Sequence, residues 1–209
     1  MNQTEDAVSV NIVVLPNAEV TQKAIDLSNK ISKTIDTHFV LNNDTLFPHI
    51  TIYQAHYPNH NIEKIKNTLL SLSQTIHPIS IQMKNFSVMY DTFIFWNCVK
   101  TQELLSIHQR MVDLFNPFRE GLIIPNLALI ENMDEVGKSE IAQYGSLLIG
   151  PRFTPHITIT RIKNSEKSLE ILEALKTENA NDTFETTEIV LGYLGDHGTV
   201  KGIIKKYPL

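Results

Sequence analysis

At 209 residues, with 42% apolar and 20% charged side chains, the chain is long enough to bury a sizeable core and too apolar for extensive disorder. Its formal charge of −5, without any lysine or arginine run, provides no basic face for gripping a long polyanion through many phosphates, so small ligands or strand ends fit better than long nucleic acid. Cys98 is the single cysteine, which rules out an intramolecular disulfide and suits a reducing compartment.

The acidic, polar start from Met1 to Asp6 lacks the basic region and apolar core of a signal peptide. No apolar run approaches the roughly 20 residues needed to span a bilayer. A cytoplasmic monomer with no membrane partner is expected, built as one two-lobed domain over 1–209.

Taken in order, Ser9 to Leu15 is a strand-like run ended by Pro16-Asn17. Between Val20 and Ile35 the apolar positions Ala24, Leu27, Ile31 and Ile35 follow helical spacing. A polar loop leads to a strand from His49 to about Ala55. Asn61 then stands where it can cap a helix whose buried stripe is Ile62, Ile65, Leu69 and Leu72. Strands are predicted over Ile79–Met89 and Phe93–Val99, separated by the tight connection Tyr90-Asp91-Thr92. Cys98 lies in the second of these runs beside Trp96, which predicts burial rather than reactivity.

Thr101 caps the next predicted helix, with Leu104, Leu105, His108, Met111, Val112 and Phe115 on its apolar side; His108 reads there as a half-buried helix residue rather than a ligand. From 116 to 150 the periodicity weakens around Pro117, Gly121, Pro125, Gly137, Gly145 and Gly150. So long a segment is read either as a cover for a cleft or as a variable surface insertion. A strand follows from His156 to about Ile162, then a helix capped by Ser165 with Leu169, Leu172 and Leu175 inward. Two last strands, Phe184–Leu194 and Thr199–Tyr207, flank the turn Gly195-Asp196-His197-Gly198, where His197 reads as exposed and structural.

The most informative feature is a repeat. Pro48-His49-Ile50-Thr51-Ile52 recurs unchanged as Pro155-His156-Ile157-Thr158-Ile159, and internal repetition signals duplicated architecture. β-Branched residues make each copy a strand, on which alternate side chains share a face. His49 and Thr51 therefore point one way against Ile50 and Ile52, as His156 and Thr158 do against Ile157 and Ile159. The order strand, helix, strand, strand after each copy suggests an α+β fold of two pseudo-symmetric lobes. Each lobe is expected to be a mainly antiparallel sheet with outer helices, so that the two imidazoles face one another across a cleft between the lobes.

Histidine is the side chain that can be either acid or base near neutrality, so a facing pair supplies one of each. In-line attack at phosphorus needs both, and neighbouring threonine hydroxyls can donate to the non-bridging oxygens. No metal or other cofactor is required. With these residues in view, the chain resembles the 2H phosphoesterase superfamily of 2',5'-RNA ligase-like proteins and cyclic phosphodiesterases, whose two HxTx motifs match His49-Ile50-Thr51-Ile52 and His156-Ile157-Thr158-Ile159.

The resemblance implies metal-independent hydrolysis or transesterification of a 2',3'-cyclic or 2',5'-linked phosphodiester, reversible toward 2',5'-ligation, on a nucleotide or short RNA. His49 and His156 are then catalytic, with Thr51 and Thr158 holding phosphoryl oxygens. The motifs are equivalent, which leaves the acid and base open; His49 as acid and His156 as base is the working assignment. Tyr53, on the Thr51 face by alternation, is a candidate to stack a base, or an ordinary sheet tyrosine. Arg152, just before the second motif, is a candidate phosphate contact, or a solvated surface residue. Arg161, which follows the second motif, is a further substrate-binding candidate, although strict alternation puts it on the face opposite His156.

Two rivals stand beside this reading. A metal site at His56 and His60 is opposed by Pro58 between them, which breaks helical HxxxH geometry. A non-catalytic module that keeps the cleft to bind an RNA end or nucleotide is the other.

Overall fold

The structure, a computed structural model, describes residues 6–127 and 133–209. Its strands are β1 (Ala7–Val14), β2 (Ile50–Pro58), β3 (Ile79–Met89), β4 (Phe93–Cys98), β5 (His156–Arg161), β6 (Asp182–Thr186), β7 (Glu188–Leu194) and β8 (Val200–Pro208). The helices are α1 (Ala18–Ser32), α2 (Ile62–Ser73), α3 (Gln102–Phe115), α4 (Glu135–Tyr144) and α5 (Ser168–Leu175). No helix among the described residues is long and apolar enough to cross a membrane.

All strand pairs are antiparallel, in the order β6-β3-β4-β5-β2-β1-β7-β8. The two central strands are those of the repeat, and they pair only at Ile50↔Ile157. The sheet therefore divides into two four-stranded halves hinged on the motifs, which is the expected two-lobed antiparallel arrangement. Which strands make up each half differs from chain order. After β2 and α2 the chain crosses to place β3 and β4 beside β5, and after β5, α5 and β6 it returns to place β7 and β8 beside β1.

The predicted strand Phe184–Leu194 is in fact two, β6 and β7, broken at Thr187. These lie six strand positions apart in the sheet, roughly 28 Å at ~4.7 Å per position if it were flat. One connecting residue spans only about 7 Å. The sheet must curl, so that its two halves are joined both at the motif seam and through this bent segment.

One large cluster fills the interior, with Trp96, Tyr57, Tyr207, Phe115 and the isoleucines of both repeats (Ile50, Ile52, Ile157, Ile159) fully buried or nearly so. Helix α1 packs on β5 and α3 on β2, so each half is covered by a helix that begins in the other. Asn17 and Thr101 cap α1 and α3 by accepting from Val20 N–H and Leu104 N–H. Asn61 makes no such cap; its amide donates to Phe118 O and Glu120 Oε1 instead. In α5 the buried residues are Ser168, Ile171 and Leu175, while Leu169 is 71% exposed. The helix starts two residues later than expected, after a 3₁₀ turn at Ser165–Lys167.

Helix α4 lies inside the segment whose periodicity was weak. Asp134 caps its start by accepting from Gly137 N–H. Gly145 ends it at φ +67, where a Cβ would meet Leu122 O at 2.8 Å. Cys98 is 2% exposed and packs on Met83; burial pushes its thiol pKa well up, which leaves it unreactive.

Candidate active site

Each motif opens with proline, and in each the histidine Nδ1 donates to the carbonyl two residues back: His49 to Phe47 O at 2.7 Å and His156 to Thr154 O at 2.6 Å. Proline fixes its own φ and holds the preceding residue extended, which sets that carbonyl beneath the ring. The clamp puts the proton of each neutral ring on Nδ1 and turns Nε2 outward. The register of the Ile50↔Ile157 bridge then places His49 across from Thr158 and Thr51 across from His156. Such neighbours sit about 5 Å apart at Cβ. Both histidines and both threonines thus share one patch at the seam, close enough that charge on His49 disfavours charge on His156.

A cavity of about 920 Å³ opens on this patch, bordered by Thr51, His156, Thr158, Arg161, Arg152 and the Gly195–Gly198 turn, among others. His49 lies just behind its wall, 6% exposed, with Nε2 3.2 Å from Gly198 O. His156 instead has Phe95 stacked on its ring at 3.5 Å, and its Nε2 has no hydrogen-bond partner among the described residues. Burial is the main cause that lowers both pKa values, taking His156 to about 4 and outweighing, at His49, the backbone acceptors that favour its proton.

A bulge in each motif decides which later residues reach the cleft. β1 pairs Val13 with Thr51 but Ile12 with Tyr53, leaving Ile52 unpaired; β4 pairs Phe95 with Thr158 but Ile94 with Thr160, leaving Ile159 unpaired. The extra residue reverses the alternation beyond it. Arg161 accordingly lies on the His156 face, correcting the expectation from strict alternation, and Gln54 takes the matching place in the first copy.

Tyr53 is turned the other way. It is 1% exposed, and its hydroxyl donates to Tyr144 O at 2.9 Å with Asn116 Oδ1 at 3.3 Å. Burial raises its pKa beyond the usual phenol range. Tyr53 is among the residues that border the cavity, but at 1% exposure it fits the ordinary sheet tyrosine that was the other reading.

Arg152 borders the cavity, its Nη1 3.5 Å from both Asp134 Oδ1 and Glu140 Oε2 of the α4 region and without a hydrogen bond. Arg161 Nε donates to Thr92 Oγ1 and Nη1 to His197 Nδ1 at 2.9 Å, with the guanidinium 4.8 Å over the Phe93 ring. His197 therefore belongs to the cavity wall, not to an inert exposed turn. His108 is 1% exposed and structural: Nδ1 donates to Ile52 O, the carbonyl released where β2 parts from β5, and Nε2 accepts from Gly150 N–H.

Of the rival metal pair, His56 Nδ1 is hydrogen-bonded to Ser9 Oγ and His60 Nε2 to Glu120 Oε1. Among the described residues no three His, Cys, Asp or Glu side chains gather as metal ligands would.

Sequence reading missed Asn11. Fully buried on β1, it donates through Nδ2 to Thr51 Oγ1 at 3.0 Å. With that lone pair taken, the threonine hydroxyl is left to donate into the cavity. A lone asparagine amid the apolar run Val10 to Leu15 was the available signal.

Paired imidazoles and hydroxyls thus share one patch on a seam between two antiparallel half-sheets. The sequence matches the 2'-5' RNA ligase superfamily over residues 42–198, and the chain belongs to that superfamily, among phosphoesterases of the 2H type. Among curated proteins none matches its sequence significantly. The fold is similar to that of TT0787 from Thermus thermophilus, at TM-score 0.58 and 12% identity over 96% of this chain and 97% of that one. E. coli LigT crystallised with phosphate aligns at TM-score 0.47 and 12% identity over 98% of this chain and 99% of that one. Usb1 of Kluyveromyces marxianus aligns at 0.48 and 11% over 97% of each chain.

Proposed function

We propose that this protein is a metal-independent phosphodiesterase that opens a 2',3'-cyclic or 2',5'-linked nucleotide phosphodiester. The observation that carries the reading is the doubled clamp: two imidazoles, each held through Nδ1 by the carbonyl two residues back, beside two threonines on one patch.

The surroundings of the two rings differ, and the difference supports a division of labour. His156, held neutral by burial and with a free Nε2, is in the protonation state that takes the proton from attacking water. His49 has carbonyls at both nitrogens, which oppose the effect of burial on its proton affinity, and the charge of a bound phosphate adds to them in favour of the imidazolium. As water oxygen bonds to phosphorus and its proton passes to His156 Nε2, the ester bond to the leaving ribose oxygen breaks and His49 Nε2 supplies that oxygen's proton. The Thr51 and Thr158 hydroxyls donate to the non-bridging oxygens as charge builds. The reverse sequence, with a ribose hydroxyl as nucleophile, is ligation.

The segment 116–150 contributes Ile124, Asp134 and the Ser146–Ile149 run to the cavity wall, which supports its reading as a cleft cover. Incubation with 2',3'-cyclic mononucleotides, 2',5'-linked oligoadenylate and cyclic-phosphate-ended RNA in the presence of chelator tests the proposal. Consumption of at least one is expected, with His49→Ala and His156→Ala slowing it roughly 10²–10⁴-fold. Tight binding without turnover of any of them would make the protein a recognition module.

A further inference from the structure

At one end of the cavity Arg161 and His197 meet, with His38 beside His197. Arg161 uses Nε and Nη1 on Thr92 and His197, and its Nη2 makes no hydrogen bond among the described residues. Because a guanidinium can only donate, His197 Nδ1 accepts from it, and the ring's proton sits on Nε2, which has no acceptor among the described residues either. The His38 ring lies 4.7 Å from that of His197, exposed and also without a hydrogen bond among them.

These donors have no acceptor among the described residues, so they are available to an anion. Asp196, in the same turn as His197, also borders the cavity and its charge favours the His197 proton, but it makes no hydrogen bond with Arg161, whose Nε and Nη1 go to Thr92 and His197. His197 is held at φ 58 between glycines at 195 and 198, so the turn's geometry, not its sequence neighbours, delivers the ring to this point.

We propose that Arg161, His197 and His38 form a second anion subsite, which takes a terminal phosphate carried by the substrate beside the diester that is cleaved. The bulge at Ile159 makes this possible, since it brings Arg161 onto the face of Thr158, about two pleat steps or roughly 7 Å along the strand. That is of the order of the spacing between phosphates flanking one nucleoside. Phe93 beneath the guanidinium and Phe39 beside His197 keep the donors fixed without competing as acceptors. The preferred substrate is thus a 5'-phosphorylated nucleotide or RNA fragment. Burial first, then the Arg161 charge and His38, lower the His197 pKa, against Asp196 which raises it; an anion there acts in the direction of Asp196.

The proposal rests on the catalytic patch holding the other phosphate, and its test separates the two. Binding of adenosine 3',5'-bisphosphate and adenosine 3'-monophosphate is compared by calorimetry, with no turnover required. The bisphosphate should bind about tenfold tighter, and this ratio should collapse toward one in His197→Asn and Arg161→Gln, and fall in His38→Asn. Equal binding by the parent, or a ratio that survives in both His197→Asn and Arg161→Gln, overturns the subsite. In parallel, KM for a 2',3'-cyclic nucleotide with a 5'-phosphate should be about tenfold below that with a 5'-hydroxyl. If neither is consumed, the catalytic reading fails while the binding ratio still decides the subsite.

Discussion

His156 gives the sharpest physical prediction, because its environment affects folding as well as chemistry. In the unfolded chain its pKa is about 6.5, and in the fold it is about 4, chiefly because the ring is desolvated beneath Phe95 and at the seam. Above pH ~6.5 both states hold a neutral ring and its titration does not affect stability. As pH falls from there toward 4, the unfolded chain gains a proton that the folded one refuses, so stability is lost across that window. At ~1.36 kcal/mol per unit, the full interval corresponds to roughly 3 kcal/mol; since one edge of the ring reaches the cavity, about 2–3 kcal/mol is expected.

The perturbation is His156→Gln, which keeps a polar side chain but cannot titrate. Urea unfolding of both proteins at pH 7.5, 6, 5 and 4 isolates the residue, because the other buried histidines contribute to both curves. The gap between the curves should be constant above pH 6.5 and shift by about 2–3 kcal/mol in the variant's favour by pH 4. Curves that stay parallel, or an NMR titration of His156 near 6.5 in the native state, would refute the reasoning about its burial and with it the case for His156 as a base that works in slightly acid solution.

Two further outcomes follow from the same geometry. Asn11→Ala should cut kcat on the consumed substrate about tenfold with little change in KM, since it frees Thr51 to turn away from the phosphoryl oxygen; an unchanged kcat in steady-state assays refutes the positioning role. His108→Ala should cost about 2–4 kcal/mol in urea unfolding, because Ile52 O and Gly150 N–H both lose their buried partner; a cost below about 1 kcal/mol refutes that bridging role.

The repeat made much of this protein legible from the sequence. Five identical residues, with apolar and polar positions alternating, named the strands, the shared face of His49 with Thr51 and of His156 with Thr158, and the two-lobed antiparallel plan. Local rules also sufficed for the cap at Thr101, whose side chain needs only a neighbouring N–H.

What the sequence could not settle is long-range. A bulge depends on the partner strand's register, so Tyr53 and Arg161 were each assigned the wrong face although both motifs were correctly read. The crossing of β3, β4, β7 and β8 between halves leaves no mark in chain order, because antiparallel pairing depends on which edge is free, not on which strand comes next. Asn11 and His197 entered the site only when folding brought β1 and the last turn to the seam. Composition and periodicity determined what each segment is; the register and curl of the sheet determined what each side chain meets.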